Sequence, residues 1–367
     1  MQRRKVHFGA IDGMRGIAAI GVVIYHSTRF YMPEAGPTII PATTTGVPYT
    51  AIFQQIYIHG EDFVRLFWVI SGFVFAHVYW NQKTTARDFM VARFARLYPL
   101  HFATLILVCV LQTISQVTTG HWQIVEHNNV QHFVLQLFLM GTSLSISDGN
   151  SFNAPIWSVS AEVLVYITFF VTLQWTRNRR LTGGILFILV SYIALLLKPE
   201  NFLITNWVFI CGVFFFAGTV CYSLYEMFAH KRAVFGAILA VLIGVSTLGF
   251  LIENPDLRLI SICCTLIFVL ASFQNRAIVN NRILRFLGSI SYSLYLVHMP
   301  IQIFVLLIAD LLFDGTRAFA DSYVTLPLFL ITSITVAHYV HIKFEKPTGA
   351  WIRRRLTKST SDQRSSV

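Results

Sequence analysis

Apolar residues in this chain come in long runs separated by short polar stretches. The approximate bounds are 12–31, 60–80, 95–116, 131–146, 156–175, 182–197, 205–226, 233–252, 258–273, 288–309 and 323–343. A helix of about 20 apolar residues crosses the roughly 30 Å hydrocarbon core of a bilayer. The pattern therefore predicts an all-α integral membrane protein. Runs 182–197 and 258–273 lie near the lower limit for spanning, and 131–146 is both short and interrupted by Gln131, His132 and Gln136. No repeat at a solenoid period and no inverted pair of broken helices emerges.

Composition confirms the class and charge sets the orientation. Of the 367 residues 55% are hydrophobic and 12% charged, with mean hydropathy +0.62, whereas a soluble domain carries about twice that charge. The net charge of +11 reports topology here rather than nucleic-acid binding, because Lys and Arg accumulate on cytoplasmic loops. With Arg3, Arg4 and Lys5 inside, the second run returns the chain to Lys83, Arg87, Arg93 and Arg96. If run 131–146 crossed fully, Arg177, Arg179, Arg180 and every later basic cluster would lie outside. If it dips in and returns, all of them become cytoplasmic, together with Arg276, Arg282, Arg285 and the residues from Lys343 onward.

The expectation is a bundle of ten transmembrane helices plus one re-entrant or interfacial segment, with both termini cytoplasmic. The basic N-terminus does not read as a cleavable signal, since no small-residue site closes the first run. One membrane domain over residues 1–350 is expected, followed by a basic, disordered cytoplasmic tail over 351–367. The five cysteines (Cys109, Cys211, Cys221, Cys263 and Cys264) all fall within apolar runs and form no CxxC pair. Neither a disulfide framework nor a metal site is expected.

Ionisable side chains at membrane depth are costly and mark function. The first run carries Asp12, Arg15 and His26. Eleven residues separate Arg15 from His26, about three helical turns, so both lie on one face about 16 Å apart. The second run holds Arg65, expected to have a buried partner or a pathway position, and Ser71-Gly72, which fits either a packing notch or a substrate-facing site. Arg93 and Arg96 are one turn apart at the inner face, where they would anchor the helix near anionic lipid or grip phosphate groups.

The fifth run opens with Trp157, Ser160 and Glu162. Glu162, placed at about the depth of His26, is a candidate to orient its imidazole. Tyr295 and His298 precede Pro300 within the tenth run, where His298 reads as a hydrogen-bonded bundle residue or as a reacting group. Phe344-Glu345-Lys346-Pro347 reads as an interfacial stop.

These stretches resemble the acyltransferase family 3 membrane proteins. The likeness rests on Ile11-Asp12-Gly13-Met14-Arg15 with His26 (Arg, ten residues, His), on Ser71-Gly72-Phe73 and on Arg93-x-x-Arg96-x-Tyr98-Pro99. It continues through Trp157-Ser158-x-Ser160-x-Glu162, Ser291-Tyr292-Ser293-Leu294-Tyr295-Leu296-x-His298-x-Pro300 and Phe344-Glu345-Lys346-Pro347. The six stretches follow the family's order across nearly the whole chain. Val163 departs from the pattern, since many relatives carry a second acidic residue there, and no hydrolase-like domain is expected after the last span.

The resemblance implies an O-acyltransferase of the bacterial cytoplasmic membrane that takes an acyl group, acetyl first, from acyl-CoA. The acceptor it implies is a carbohydrate hydroxyl, of an exopolysaccharide or a nodulation lipo-oligosaccharide. It implies His26 as catalytic base with Glu162 and Arg15, and Arg93 and Arg96 as holders of the coenzyme's phosphates. Asp12, Ser71, Trp157, Ser160, Tyr295 and His298 would line the substrate path. Read without the motifs, intramembrane charges also fit a transporter or flippase for a lipid-linked saccharide, or a structural membrane subunit.

Overall fold

Each long apolar run forms an α-helix, and the polar stretches between them supply the caps. A computed structural model describes residues 8–31, 46–197, 202–273 and 281–358. In chain order the helices are α1 (Gly9–Ser27), α2 (Thr50–His59), α3 (Glu61–Tyr79), α4 (Ala86–Thr119), α5 (Val130–Leu137), α6 (Ile156–Thr176) and α7 (Arg180–Leu197). There follow α8 (Asn206–Phe228), α9 (Arg232–Leu251), α10 (Pro255–Ser272), α11 (Arg282–Phe313), α12 (Thr325–Val340) and α13 (Lys346–Lys358). A π-helical turn, His341–Glu345, joins the last two. Thr85, Asn129, Asn254 and Asn281 accept the backbone N–H three residues on, which starts α4, α5, α10 and α11.

Among the described residues nine helical stretches are long and apolar enough to cross a membrane: α3, α4, α6 to α11, and the continuous stretch that begins with α12. The protein is a multi-pass membrane protein. Helix α1 falls outside that group because Asp12, Arg15 and His26 dilute its apolar residues. It is nonetheless wrapped by protein, most extensively by α11 and then by α3.

Helix α5 has only eight residues, about 12 Å of rise, too short to cross. The expected crossing ambiguity at 131–146 thus resolves against a full span. The segment between α4 and α6 folds as an irregular cap tied by side-chain hydrogen bonds such as Gln136 Nε2 to the Ser151 carbonyl (2.5 Å).

Two expectations need correction. The tail is helical through Lys358, so 351–358 is not disordered. Trp351 and the basic residues lie on a helix that packs along the start of α4. Gly349 meets the Ala95 carbonyl with no room for a Cβ, and Arg87 donates to the Leu356 carbonyl (2.7 Å). Run 95–116 is also longer than expected, since α4 starts at Ala86 and continues through Pro99. Arg3, Arg4, Lys5, Lys198, Arg276 and the tail beyond 358 lie outside the described residues.

Glycines set which helices touch. A Cβ on Gly72 of α3 would overlap the Phe215 carbonyl of α8, and one on Gly218 of α8 would overlap the Val69 carbonyl. The Ser71-Gly72 alternatives therefore separate: Gly72 is the packing notch, and Ser71 faces a cavity described below. Gly13 and Gly16 bring α1 against Leu284 and Leu287, and Gly288 brings α11 against the Asp12 backbone. This close approach sets the first run against the tenth.

Candidate active site

A cavity of about 260 Å³ opens among α1, α3, α4, α6 and α11. Four arginines line it: Arg15 from α1, Arg93 and Arg96 from α4, and Arg353 from α13. Arg15 and Arg93 face Glu162, whose carboxylate is turned to the Ser71 and Tyr166 hydroxyls. One carboxylate oxygen, Oε1, is buried with no hydrogen-bond partner among the described residues.

Aromatic rings and counter-charges fix the guanidinium groups. Arg93 sits 4.8 Å from the Phe75 ring centroid and 5.9 Å from that of Tyr79, a cation–π arrangement that strengthens away from water. Arg96 lies over Tyr292 (5.4 Å) and pairs with Glu345. Glu345 is only 4% exposed and also accepts from Ser293 (2.5 Å) and meets His341 Nδ1 (3.0 Å). The Phe344-Pro347 stretch is thus more than an interfacial stop. The π-helical turn directs a carboxylate inward to hold Arg96, which is where such turns often occur.

His26 occupies a second, smaller chamber of about 30 Å³, with Arg29, Glu61, Asn150 and Trp157 in its wall. Tyr295 and Val64 line both spaces. Tyr295 is locked there by hydrogen bonds with Ser158 Oγ (2.7 Å) and the Pro155 carbonyl (3.0 Å). The chambers are neighbours that share a phenol wall.

The imidazole of His26 is paired with His298. His26 Nδ1 is 2.8 Å from His298 Nε2, and the rings stack at 4.9 Å. His298 Nδ1 is 3.1 Å from the Leu294 carbonyl, which can only accept, so that nitrogen carries a proton. In neutral His298 the other nitrogen then accepts, so His26 Nδ1 donates and His26 Nε2 keeps its lone pair. Gln302 Nε2 donates to the His26 carbonyl (2.7 Å) and pins the end of α1. The result is an oriented base with one free nitrogen.

Several expected groupings hold and others do not. Arg15, Arg93, Arg96, Ser71, Glu162 and Tyr295 share the larger cavity, and Trp157 shares the smaller one with His26. Glu162 does not orient His26, because the two residues line different chambers. Glu162 lies with Arg15 in the larger cavity, and Arg15 is eleven residues, about 16 Å, along α1 from His26. His298 takes the orienting place instead.

Ser160 is fully buried off the cavity wall, about 200° around α6 from Ser158. Asp12 is likewise off the wall, 3.9 Å from Arg15. Arg65 is held by Asp62 (3.3 Å) and Asp256 (3.2 Å), a structural ion network rather than a pathway. Ser158 and Glu345 stand inside motifs quoted from the sequence but were given no site role of their own, and Tyr166, Arg353 and Arg29 were not picked out as site residues. The spacing Ser158, Glu162, Tyr166 at i, i+4, i+8 marks one helical stripe and could have found two of them.

Residues 8–341 match the family described as "Acyltransferase domain". An arginine-lined cavity beside an oriented histidine, in a helical membrane bundle, is the arrangement expected of a membrane acyltransferase. This chain belongs to acyltransferase family 3. It is 27% identical over 209 residues to "Protein 2 in picA locus" of Rhizobium radiobacter, covering 53% of this chain and 96% of that one. It is 26% identical over 175 residues to "Acyltransferase MdmB" of Streptomyces mycarofaciens, covering 46% of this chain and 40% of that protein. No solved structure gives a significant match.

Proposed function

We propose that this enzyme moves an acetyl group from cytoplasmic acetyl-CoA to a hydroxyl of an envelope or secreted carbohydrate, an exopolysaccharide or lipo-oligosaccharide. The observation that carries the reading is the pairing of an arginine-lined cavity with a histidine whose Nε2 lone pair is left free. We infer further that α1 is the tenth span, that both termini are cytoplasmic and that the membrane is the bacterial cytoplasmic one. The basic loops support this orientation, and Arg93, Arg96 and Arg353 lie at the same end as those loops.

The cavity is smaller than the 300 Å³ or more typical of sites that enclose a whole ligand. It suits the thin pantetheine arm, while the polyanionic nucleotide stays at the arginines of the inner end. Arg15 and Glu162 line the arm's path, and Tyr295 stands where the thioester meets the acceptor chamber.

In the transfer step His26 Nε2 takes the acceptor hydroxyl proton as the oxygen attacks the thioester carbonyl carbon. The new C–O bond forms, the C–S bond breaks, and the proton passes to the departing thiolate. His298 accepts the His26 Nδ1 proton in a hydrogen bond throughout and stabilises the charge that develops on the imidazole.

Mass spectrometry of envelope and secreted glycans from cells carrying the wild type, His26→Ala, or no copy tests the function. Acyl groups present only with the wild type support it. Full acylation with His26→Ala would sink the mechanism. A saccharide flippase would move its cargo without releasing coenzyme A thiol, so thiol release by the purified protein separates the two readings.

A further inference from the structure

The irregular segment between α4 and α6 gathers His127, His132 and Asp148, whose donor atoms all lie within 4.8 Å of one another. We propose that these three side chains form a zinc site that fastens the loop roofing the His26 chamber.

The state of His132 points to a cation. Its ring is 1% exposed, and Nδ1 is 2.8 Å from Asn129 Oδ1. That same Oδ1 accepts the His132 backbone N–H (3.0 Å) as the cap of α5, so it is the amide oxygen and cannot donate. Nδ1 therefore carries the proton, and Nε2 presents a lone pair. Nε2 is buried and has no hydrogen-bond partner among the described residues. An imidazole that donates one nitrogen to a carbonyl oxygen and offers the other is the usual form of a metal-bound histidine.

The neighbours complete the set. The His127 ring stacks on His132 with centroids 5.3 Å apart, and Gly149 (φ +147°) lets the loop run against the His127 ring, where a Cβ would be 3.2 Å from Cδ2. Two imidazoles and a carboxylate with one open position are a zinc set, whereas calcium and magnesium prefer all-oxygen ligands. Tetrahedral donors at about 2.0–2.2 Å from zinc are about 3.3 Å apart. Asp148 is exposed and free to swing inward to meet that spacing.

Location gives the site a role. Asn150, two residues beyond Asp148, lines the His26 chamber, and the Phe152 N–H donates to Asn128 Oδ1 (2.8 Å) beside His127. A metal at Asp148 would therefore hold the segment leading to Ala154 and Trp157, both of which also line that chamber.

The full chain, purified in detergent without a polyhistidine tag, is loaded with zinc sulfate, desalted and assayed for metal by elemental mass spectrometry. About one zinc per chain is expected, together with a zinc-dependent rise in Tm and no competition from magnesium. His127→Asn and Asp148→Asn remove partly or fully exposed ligands, so both variants should fold, and each should weaken zinc binding at least about tenfold. Less than about half an equivalent at saturation, or wild-type affinity in either variant, overturns the proposal.

Discussion

Helices α8 and α9 are adjacent in the chain and both apolar enough to span, yet they live in opposite surroundings. In α8, 67% of the most apolar window is buried in protein; in α9 only 6% is. In lipid, apolarity does not distinguish core from rim, because acyl chains are as apolar as leucine. Small and polar residues make the distinction. Gly218 of α8 lets α3 approach to backbone contact, whereas in α9 only Gly249, at the end next to α10, meets a neighbouring backbone (Arg258), and Gly236 and Gly244 face open space. The residues proposed to carry the chemistry follow the same division: Arg15, His26, Glu162 and His298 sit on α1, α6 and α11.

That contrast can be broken most directly at His26. Replacing it by Ala should lower acyl transfer about 10³- to 10⁴-fold, the loss of the proposed general base, while the protein stays in the membrane; a milder loss in a thiol-release assay would move the chemistry elsewhere. Gly72→Ala comes next. A methyl group against the Phe215 carbonyl should destabilise the fold by about 3 kcal/mol, seen as a lower Tm in detergent, and an unchanged Tm would show that α3 and α8 are not in backbone contact.

His298→Ala should cost about 10²-fold in kcat. The double variant with His26→Ala should be no worse than His26→Ala alone, because residues acting as a unit are not additive. Arg93→Ala should raise KM for the acyl donor about tenfold with little change in kcat; the reverse split would place Arg93 at the reacting carbonyl. The smallest effect belongs to the rim. Gly244→Ala should change stability by less than about 0.5 kcal/mol, and a large Tm shift there would reveal a partner against α9.

Much of the site was legible as pattern. Arg15 with His26, Arg93 with Arg96, and the order of the six motifs are local features of the sequence. The pairings were less legible. His26 and His298 are 272 residues apart, and Arg96 and Glu345 are 249 apart, so no periodicity links them. Depth across helices was not legible either: Glu162 falls beside Arg15 rather than His26, because the level at which α6 packs against α1 is not written in either helix alone. Arg353 was hidden because basic residues at an inner face normally report topology.

The sequence by itself determined that the chain is a helical membrane protein, which of its ends is basic, and which residues share a face within one helix. Those properties follow from the fixed rise and turn of the helix and from the cost of placing charge in hydrocarbon. Tertiary structure decided that His26 answers to His298 and Glu162 to the arginines. Contacts between helices depend on how closely backbones approach at glycines such as Gly13, Gly16 and Gly288, and that fit is settled only when distant segments pack together.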